Sequence, residues 1–461
     1  MLRPNLKLFL PATLTAAAVI SLFLLIYNFF TFNVGQRLPG ADNRPYSAIS
    51  DGGPKEGSLQ TFHGKPSGIK GSWPCFRGPD RDAIGKKSIP LLRQFSSGGP
   101  KTLWQIPLAE GYAGAAVWNG RVYIIDYDTA IQADAIRCLS LDEGKEIWRY
   151  SYPVKIPRNQ GITRTVPAVA DGYVVTMGPR CHVACLNAQT GQFIWGMDLI
   201  KEYGAQEPPW YAGQCPRIEN GRVIIAPGGK VLMVAVECAT GKVVWKTDNP
   251  EEWRMTHSSL LPVTFAGKRM FVYCASGGVA GVDADNGKVL WKTDAWKSRI
   301  IVPSPVDMGN GRIFFCAGYK IGSMILQLKQ GKGEIVPEVW STLKAKVFGS
   351  NLQTPIFYRG NLYGVAIDDE LTCLDTNGEV LWKSGSANTF GLGSFIIADE
   401  KIIILNDDGV LSFIEAKPDS FSMIANCRVL EGRECWGPPA IINGRLIIRD
   451  LTAMKCLDVS Q

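Results

Sequence analysis

The chain has 461 residues, 46% hydrophobic and 20% charged, which supplies a large core and excludes a disordered chain. Its 49 Lys and Arg against 42 Asp and Glu leave a net charge of +7, scattered singly and forming no basic stripe, which argues against nucleic acid as a partner. Forty-nine glycines and 28 prolines along the whole length exclude long helices in most of the chain and point to short strands joined by many turns.

In chain order, residues 1–7 are a short N-terminal segment expected on the cytoplasmic side. Residues 8–30 carry no charge over 23 positions. A helix rising about 1.5 Å per residue crosses a bilayer core of roughly 30 Å over that length. The bulky run Ile20 to Phe32 offers no small-residue cleavage site, so 8–30 is expected to be a retained transmembrane anchor. Arg3 and Lys7 before it and Arg37 and Arg44 after it nearly balance the positive-inside count. Residues 31–70, rich in Gly, Pro and Ser, are expected to be a flexible linker, and 71–461 the folded domain.

From Trp73 onward the sequence repeats with a period of roughly 40 to 50 residues. One marker is a two-residue hairpin turn between apolar runs: Asn119-Gly120, Asp171-Gly172, Asn220-Gly221, Ala266-Gly267, Asn310-Gly311, Arg359-Gly360, Asp399-Glu400 and Asn443-Gly444. A second hairpin follows each, and most lead to a tryptophan: Trp148, Trp195, Trp245, Trp291, Trp340 and Trp382. Trp104 stands alone ahead of them, while the last unit stops after three strands. Four strands per unit describe propeller blades, and a strand at about 102–108 completes the last blade. The expected fold is all-β, an eight-bladed β-propeller of four-stranded antiparallel blades behind one N-terminal transmembrane helix.

Five of the twelve cysteines, Cys138, Cys185, Cys238, Cys373 and Cys456, read as one repeated position and hence as buried thiols. Cys181 and Cys185 flank His182 on a hairpin, where a turn with incidental thiols is favoured over a disulfide or metal pair. The acidic runs 283–286 and 406–409 fall at hairpin tips and read as Asx turns.

The run Cys185-Leu186-Asn187-Ala188-Gln189-Thr190-Gly191-Gln192-Phe193-Ile194-Trp195 resembles the PQQ repeat of quinoprotein dehydrogenases and BamB-like propellers. The lead-in Trp73-Pro74-Cys75-Phe76-Arg77-Gly78-Pro79-Asp80-Arg81-Asp82 resembles the opening of large bacterial families of PQQ-like proteins. The match covers roughly residues 73–461. WD40 propellers are discounted, because no Gly-His and Trp-Asp pair recurs at blade ends. The resemblance implies a bacterial inner-membrane protein with its propeller on the periplasmic side.

Propeller ligands meet the central axis, where the loops entering each innermost strand converge. Those loops carry Glu110, Tyr112, Arg164, Thr165, Trp210, Tyr211, His257, Ser258, Arg299, Asn351, Gln353, Phe390, Glu434 and Trp436. The candidate binding residues are Tyr112, Arg164, Tyr211, His257, Asn351, Gln353 and Trp436. Aromatic planes with a cation and amides suit a planar anion such as a quinone, and equally a peptide or a glycan. For the quinoprotein relatives the resemblance implies PQQ, calcium held by carboxylate and amide oxygens, an aspartate base and a disulfide between adjacent cysteines. No adjacent cysteines, no assembled carboxylate set on the axial loops and no Cys-x-x-Cys-His motif occur here, so no catalytic or metal residue is assigned. Arg77, Arg81 and Asp82 are expected to plug one mouth of the ring. The expected function is a non-catalytic binding or scaffolding propeller, tethered to the membrane and presenting its faces to a protein or extracytoplasmic ligand. The alternatives are a PQQ- and calcium-dependent oxidoreductase and a carbohydrate-binding propeller, the last resting on Trp210, Tyr211 and Trp436.

Overall fold

Every one of the eight turn dipeptides takes a positive φ at both residues, from Asn119 at 47° and Gly120 at 70° to Asn443 at 43° and Gly444 at 73°. That conformation matches the right-handed twist of the strands it joins. Asp399-Glu400 adopts it without glycine, at 47° and 58°. Hydrogen bonds hold that turn, from the Leu91 N–H to Asp399 at 2.8 Å and from the Lys401 ammonium to the same carboxylate.

The computed structural model describes residues 21–22, 52–86, 89–157, 161–298 and 300–461. Eight antiparallel sheets follow one another around a ring. Blade 1 is built on Ala116–Trp118, Arg121–Asp128, Ala133–Ser140 and Glu146–Pro153, and blade 2 on Ala168–Ala170, Tyr173–Met177, His182–Asn187 and Phe193–Asp198. Blades 3 to 7 start at Arg217, Leu261, Val306, Ile356 and Phe395. Blade 8 takes Ala440–Ile442, Arg445–Arg449 and Ala453–Asp458 from the C-terminal end and Lys101–Pro107 from the N-terminal end, with Trp104 opposite Cys456. The two ends thereby close the ring and remove an open sheet edge.

The blades are joined through the tryptophans. Trp104, Trp148, Trp195, Trp245 and Trp382 each donate the indole N–H to a backbone carbonyl of the following blade, at Leu141, Ala188, Cys238, Ala284 and Lys417, over 2.8 to 3.3 Å. In four of these contacts the ring lies on a positive-φ glycine, Gly144, Gly191, Gly241 and Gly287, where a Cβ would sit 2.5 to 2.8 Å from it. Two tryptophans depart. Trp291 meets Met270 of its own blade. Trp340, read as a blade marker, falls one residue early: Ser341 takes the paired position opposite Ile325, and Trp340 sits in the bulge, 49% exposed, under the Arg312 guanidinium at 4.3 Å. A one-residue slip turns a side chain to the other face. Blade 7 places Ala425 in the tryptophan position.

The cysteine reading is corrected in the same way. Cys138, Cys185, Cys373 and Cys456 lie opposite blade tryptophans, but in blade 3 that place belongs to Ala235, and Cys238 sits three residues on, at the hairpin that receives Trp195. All twelve cysteines are free thiols, so Cys181 and Cys185 form no disulfide.

The expected anchor, 8–30, lies outside the described residues apart from 21–22; among the described residues no helix is long and apolar enough to cross a membrane. Of the expected linker, residues 52–70 are described, and they are laid on the ring. Ser58–Thr61 pairs with Trp148–Ser151 as a fifth strand on the outer edge of blade 1, and Tyr150 donates its hydroxyl to the Pro54 carbonyl at 2.6 Å.

The chain then crosses the ring. Ser72–Trp73 pairs with the innermost strand of blade 1, and Ile84–Gly85 pairs in parallel with that of blade 7. Between them, the loop carrying Arg77 and Arg81 spans the axis as a plug. Arg77 donates to the carbonyls of Thr354 and Pro355 of blade 6, both at 2.9 Å. Arg81 donates to Leu260 of blade 4 at 2.9 Å and to Pro216 of blade 3 at 2.5 Å. These buried arginines hold the plug through backbone carbonyls, whereas Asp82 points its charge to Lys86 at 2.8 Å.

Candidate axial site

Where the plug meets the loops that enter the blades, a cavity of about 410 Å³ opens, and every blade contributes to its wall: Tyr112, Arg164, Trp210, His257, Val302, Gln353, Leu392 and Trp436 from blades 1 to 8. Phe76, Arg77 and Ala83 of the plug complete it, with Tyr319 half exposed beside them.

From blade 2 to blade 6 the wall is tied together by a recurring device. The Val166 N–H meets the Cys215 thiol at 3.2 Å, the Cys215 N–H the Ser259 hydroxyl at 3.0 Å, the Ser259 N–H the Ser304 hydroxyl at 2.9 Å, and the Ser304 N–H the Thr354 hydroxyl at 2.9 Å. Each residue stands just ahead of an innermost strand, and its side chain accepts the N–H that its counterpart in the preceding blade would otherwise leave buried without a partner. The sequence signal is a small hydroxyl or thiol two positions before the strand, followed by proline in Cys215-Pro216, Ser304-Pro305 and Thr354-Pro355. It escaped notice because the spacing between such positions varies with loop length.

Five of the seven candidate residues line the cavity. Tyr112 and Trp436 stack with ring centres 4.8 Å apart, and the Arg164 guanidinium lies 5.1 Å over the Tyr112 ring. The Tyr112 hydroxyl donates to Glu434; its burial, and that carboxylate beside it, push its pKa well up. The Trp436 indole N–H donates to Asp407 at 3.0 Å, and burial raises that carboxyl to about 6. Burial lowers Arg164 to about 10, so it stays charged at neutral pH. His257 is pushed down to about 4 by burial and by the positive charge of Arg164, so it is neutral. Gln353 reaches the wall but is spent structurally, donating to Gly391 at 2.7 Å and Gly393 at 3.2 Å and accepting from Ser350 at 3.0 Å.

Tyr211 and Asn351 lie off the wall. Tyr211 is fully buried and donates to the Pro157 carbonyl; Asn351 packs on Gly318. The neighbour Trp210 takes the wall position, and both aromatics are held at positive φ, 62° and 73°, a strained conformation for bulky side chains. Their loop is what aims Trp210 at His257, with ring centres 6.3 Å apart. Arg299 lies outside the described residues. Sequence reasoning also missed the apolar members Val302, Leu392 and Tyr319, whose types carry no functional signal.

The quinone and calcium pair fits this wall only in part. Tyr112, Trp436 and Arg164 suit a planar anion. Among the described residues no Asp or Glu lines the cavity and no three His, Cys, Asp or Glu side chains converge as a cation cage, so the calcium half does not fit.

A closed eight-bladed ring of four-stranded blades interlocked by repeated tryptophans places the chain in the PQQ-repeat class of β-propeller. The family model described as outer membrane protein assembly factor BamB matches residues 132–384, more than half of the chain, and the chain belongs to that family. BamB of Yersinia pestis is 25% identical over 301 residues, covering 51% of this chain and 72% of that protein. Two solved structures share the fold: BamB from Moraxella catarrhalis, at a TM-score of 0.54 and 13% identity, over 78% of this chain and 99% of that one, and a quinohemoprotein alcohol dehydrogenase from Pseudomonas putida HK5, at 0.57 and 12%, over 84% and 80%.

Proposed function

We propose that this chain is a non-catalytic binding propeller that holds a protein partner near a membrane. The observation that carries the reading is the plugged axis. The polar equipment of the ring centre, from Arg77 and Arg81 to the Cys215, Ser259, Ser304 and Thr354 series, is committed to holding the plug and neighbouring blades together, and among the described residues no carboxylate lines the cavity. A rigid ring of this kind offers its faces and blade edges as surface. Relatives named as outer membrane protein assembly factors support a protein partner within a membrane-associated assembly. The 23 uncharged residues of 8–30 support a single-pass anchor in a bacterial inner membrane, with the propeller on the periplasmic side.

The test is extraction of the native full-length chain from membranes in mild detergent, followed by native separation and cross-linking. The expected result is one stoichiometric complex whose cross-links map to blade edges or a ring face. A chain that migrates alone overturns the reading.

A further inference from the structure

The chain enters the ring at one particular face. Ser58–Thr61 runs antiparallel to the outer strand of blade 1, so the chain ahead of Ser58 leaves at the Pro153 end, where Gly52 lies against Pro153. That end belongs to the face built from the loops entering each innermost strand and from the turns between the second and third strands of each blade. On the same face, across the ring at blade 5, the turn Gly318–Ile321 is closed by the Ile321 N–H on the Gly318 carbonyl at 3.1 Å. Its tip presents Tyr319, 53% exposed, the exposed Lys320, and Ile321, 39% exposed. Tyr319 and Lys320 both hold a positive φ, 54° and 69°. Most of the ring's hairpin turns place Asn, Asp or Gly in that conformation, and a bulky residue adopts it at a cost that the turn itself does not explain.

Lys344 and Lys346 stand exposed beside this tip, where a Cβ at Gly322 would come within 2.9 Å of the Ala345 nitrogen. Among the described residues none of the three lysines pairs with a carboxylate, whereas Lys297 and Lys383 of the same face are held by Asp294 and Asp368. An aromatic and an aliphatic tip ringed by free ammonium groups is the chemistry of an anionic lipid surface: the apolar bodies enter the headgroup boundary and the charges stay on the phosphates. The neighbouring tips of blades 6 and 7 carry Asp368, Asp369 and Asp408, which such a surface repels, so the contact is confined to blade 5. Residues 31–51, between the uncharged segment and the ring, can span at most about 70 Å, which keeps this face within reach of the bilayer.

We propose that the ring turns this face to the bilayer that anchors the chain, with Tyr319 and Ile321 entering the headgroup boundary and Lys320, Lys344 and Lys346 lying on anionic headgroups. The proposal rests on the membrane anchor of the reading above and gives it an orientation: the opposite face and the blade edges stay open to the protein partner.

The test uses the full-length chain with Cys427→Ser, so that an introduced thiol takes the label, in vesicles of phosphatidylcholine and phosphatidylglycerol in equal parts. A fluorophore at Ala345→Cys is compared with one at Lys268→Cys, exposed on the opposite face, with nitroxide-labelled lipids as quenchers. Quenching at 345 and none at 268 is expected. Each of Lys320→Gln, Lys344→Gln and Lys346→Gln is expected to lower the docked population ratio roughly fivefold, and pure phosphatidylcholine to act like all three together. Tyr319→Asn is expected to weaken docking while the melting temperature holds or rises, because Asn suits the turn. Flotation with the vesicles in high salt reports the anchor separately. A chain that floats there but is quenched equally at both sites, or at neither, overturns the proposal and leaves the anchor intact. Flotation restricted to anionic vesicles at low salt, with quenching at 345, removes the anchor and supports the docking face; no flotation at all removes both. Shielding of residue 345 by a protein in the native complex, with no quenching in vesicles, overturns the lipid contact and assigns the patch to that partner.

Discussion

Trp195 on the outermost strand of blade 2 donates its indole N–H to the carbonyl of Cys238 on blade 3, 2.8 Å away, while its ring covers Gly241. The pair welds two blades, each too thin to bury its own faces. Trp195→Ala removes a buried aromatic and orphans a carbonyl, a loss of about 3–5 kcal/mol. Trp340→Ala, at the exposed bulge of blade 5, is expected to cost below about 1 kcal/mol. Urea denaturation of the two variants side by side checks the contrast, and equal losses would show that interblade docking does not depend on the indole.

Arg81 is the second weld, because one guanidinium bridges blade 3 and blade 4 from the plug. Arg81→Ala leaves two buried carbonyls unpaired, with an expected loss of about 3–5 kcal/mol. Arg81→Lys, a point donor with no fork, recovers less than half of it. Denaturant midpoints measure both, and faster proteolysis within the plug is expected to accompany the alanine change.

The blade number, the shared eighth blade and the axial loops were legible because turn dipeptides and tryptophans recur every 40 to 50 residues or so and the two chain ends supply complementary parts of one repeat. What was not legible were departures by one to three residues. Trp340 and Cys238 satisfied the spacing yet missed the register, which is fixed by bulges that no composition marks. Trp210 and Tyr211 are adjacent aromatics, and only the left-handed backbone at both decides which one reaches the cavity. The strand at Ser58–Thr61 escaped for a different reason: its four residues are short and exposed, and its pairing partner lies about ninety residues on, so local pattern carried no trace of it.

Asp134 makes the stability pH-dependent. It is fully buried between blades 1 and 2, and burial raises it to about 7 against the lowering effects of the neighbouring Tyr152 hydroxyl and of Arg180. A folded-state value above the unfolded one means the folded state holds the proton more tightly, so its stabilisation is complete below about 4 and fades as pH rises through 7. Asp134→Asn is therefore expected to gain stability relative to the parent at pH 8, by a few kcal/mol at most, with the difference shrinking towards pH 4. Melting temperatures across that range provide the check; a constant difference would remove the carboxyl as the cause.

All twelve thiols are free and eleven are buried, with Cys427 alone half-buried. Burial raises even Cys427, which slows it without hiding it. Titration of the folded protein with a thiol reagent is expected to show one reactive equivalent, lost in Cys427→Ser, and twelve after denaturation. A denatured count of ten would reveal a disulfide.

The N-terminal strand predicts that the ring does not begin at residue 71. Ser58–Thr61 caps the outer edge of blade 1, Leu59 approaches Gly191 of blade 2, and Pro54 sits on Tyr150 and Gly196. A chain starting at residue 67 exposes that edge and the face of Trp148 it shields. Relative to a chain starting at residue 52, the expected loss is on the order of 3 kcal/mol, which at this size lowers Tm by about 3 °C. The uncovered strand also offers unpaired backbone groups to other molecules. Light scattering on the shorter chain is therefore expected to show association that the longer one lacks, and equal melting and scattering of the two would demote the segment from a structural strand to a passive tether.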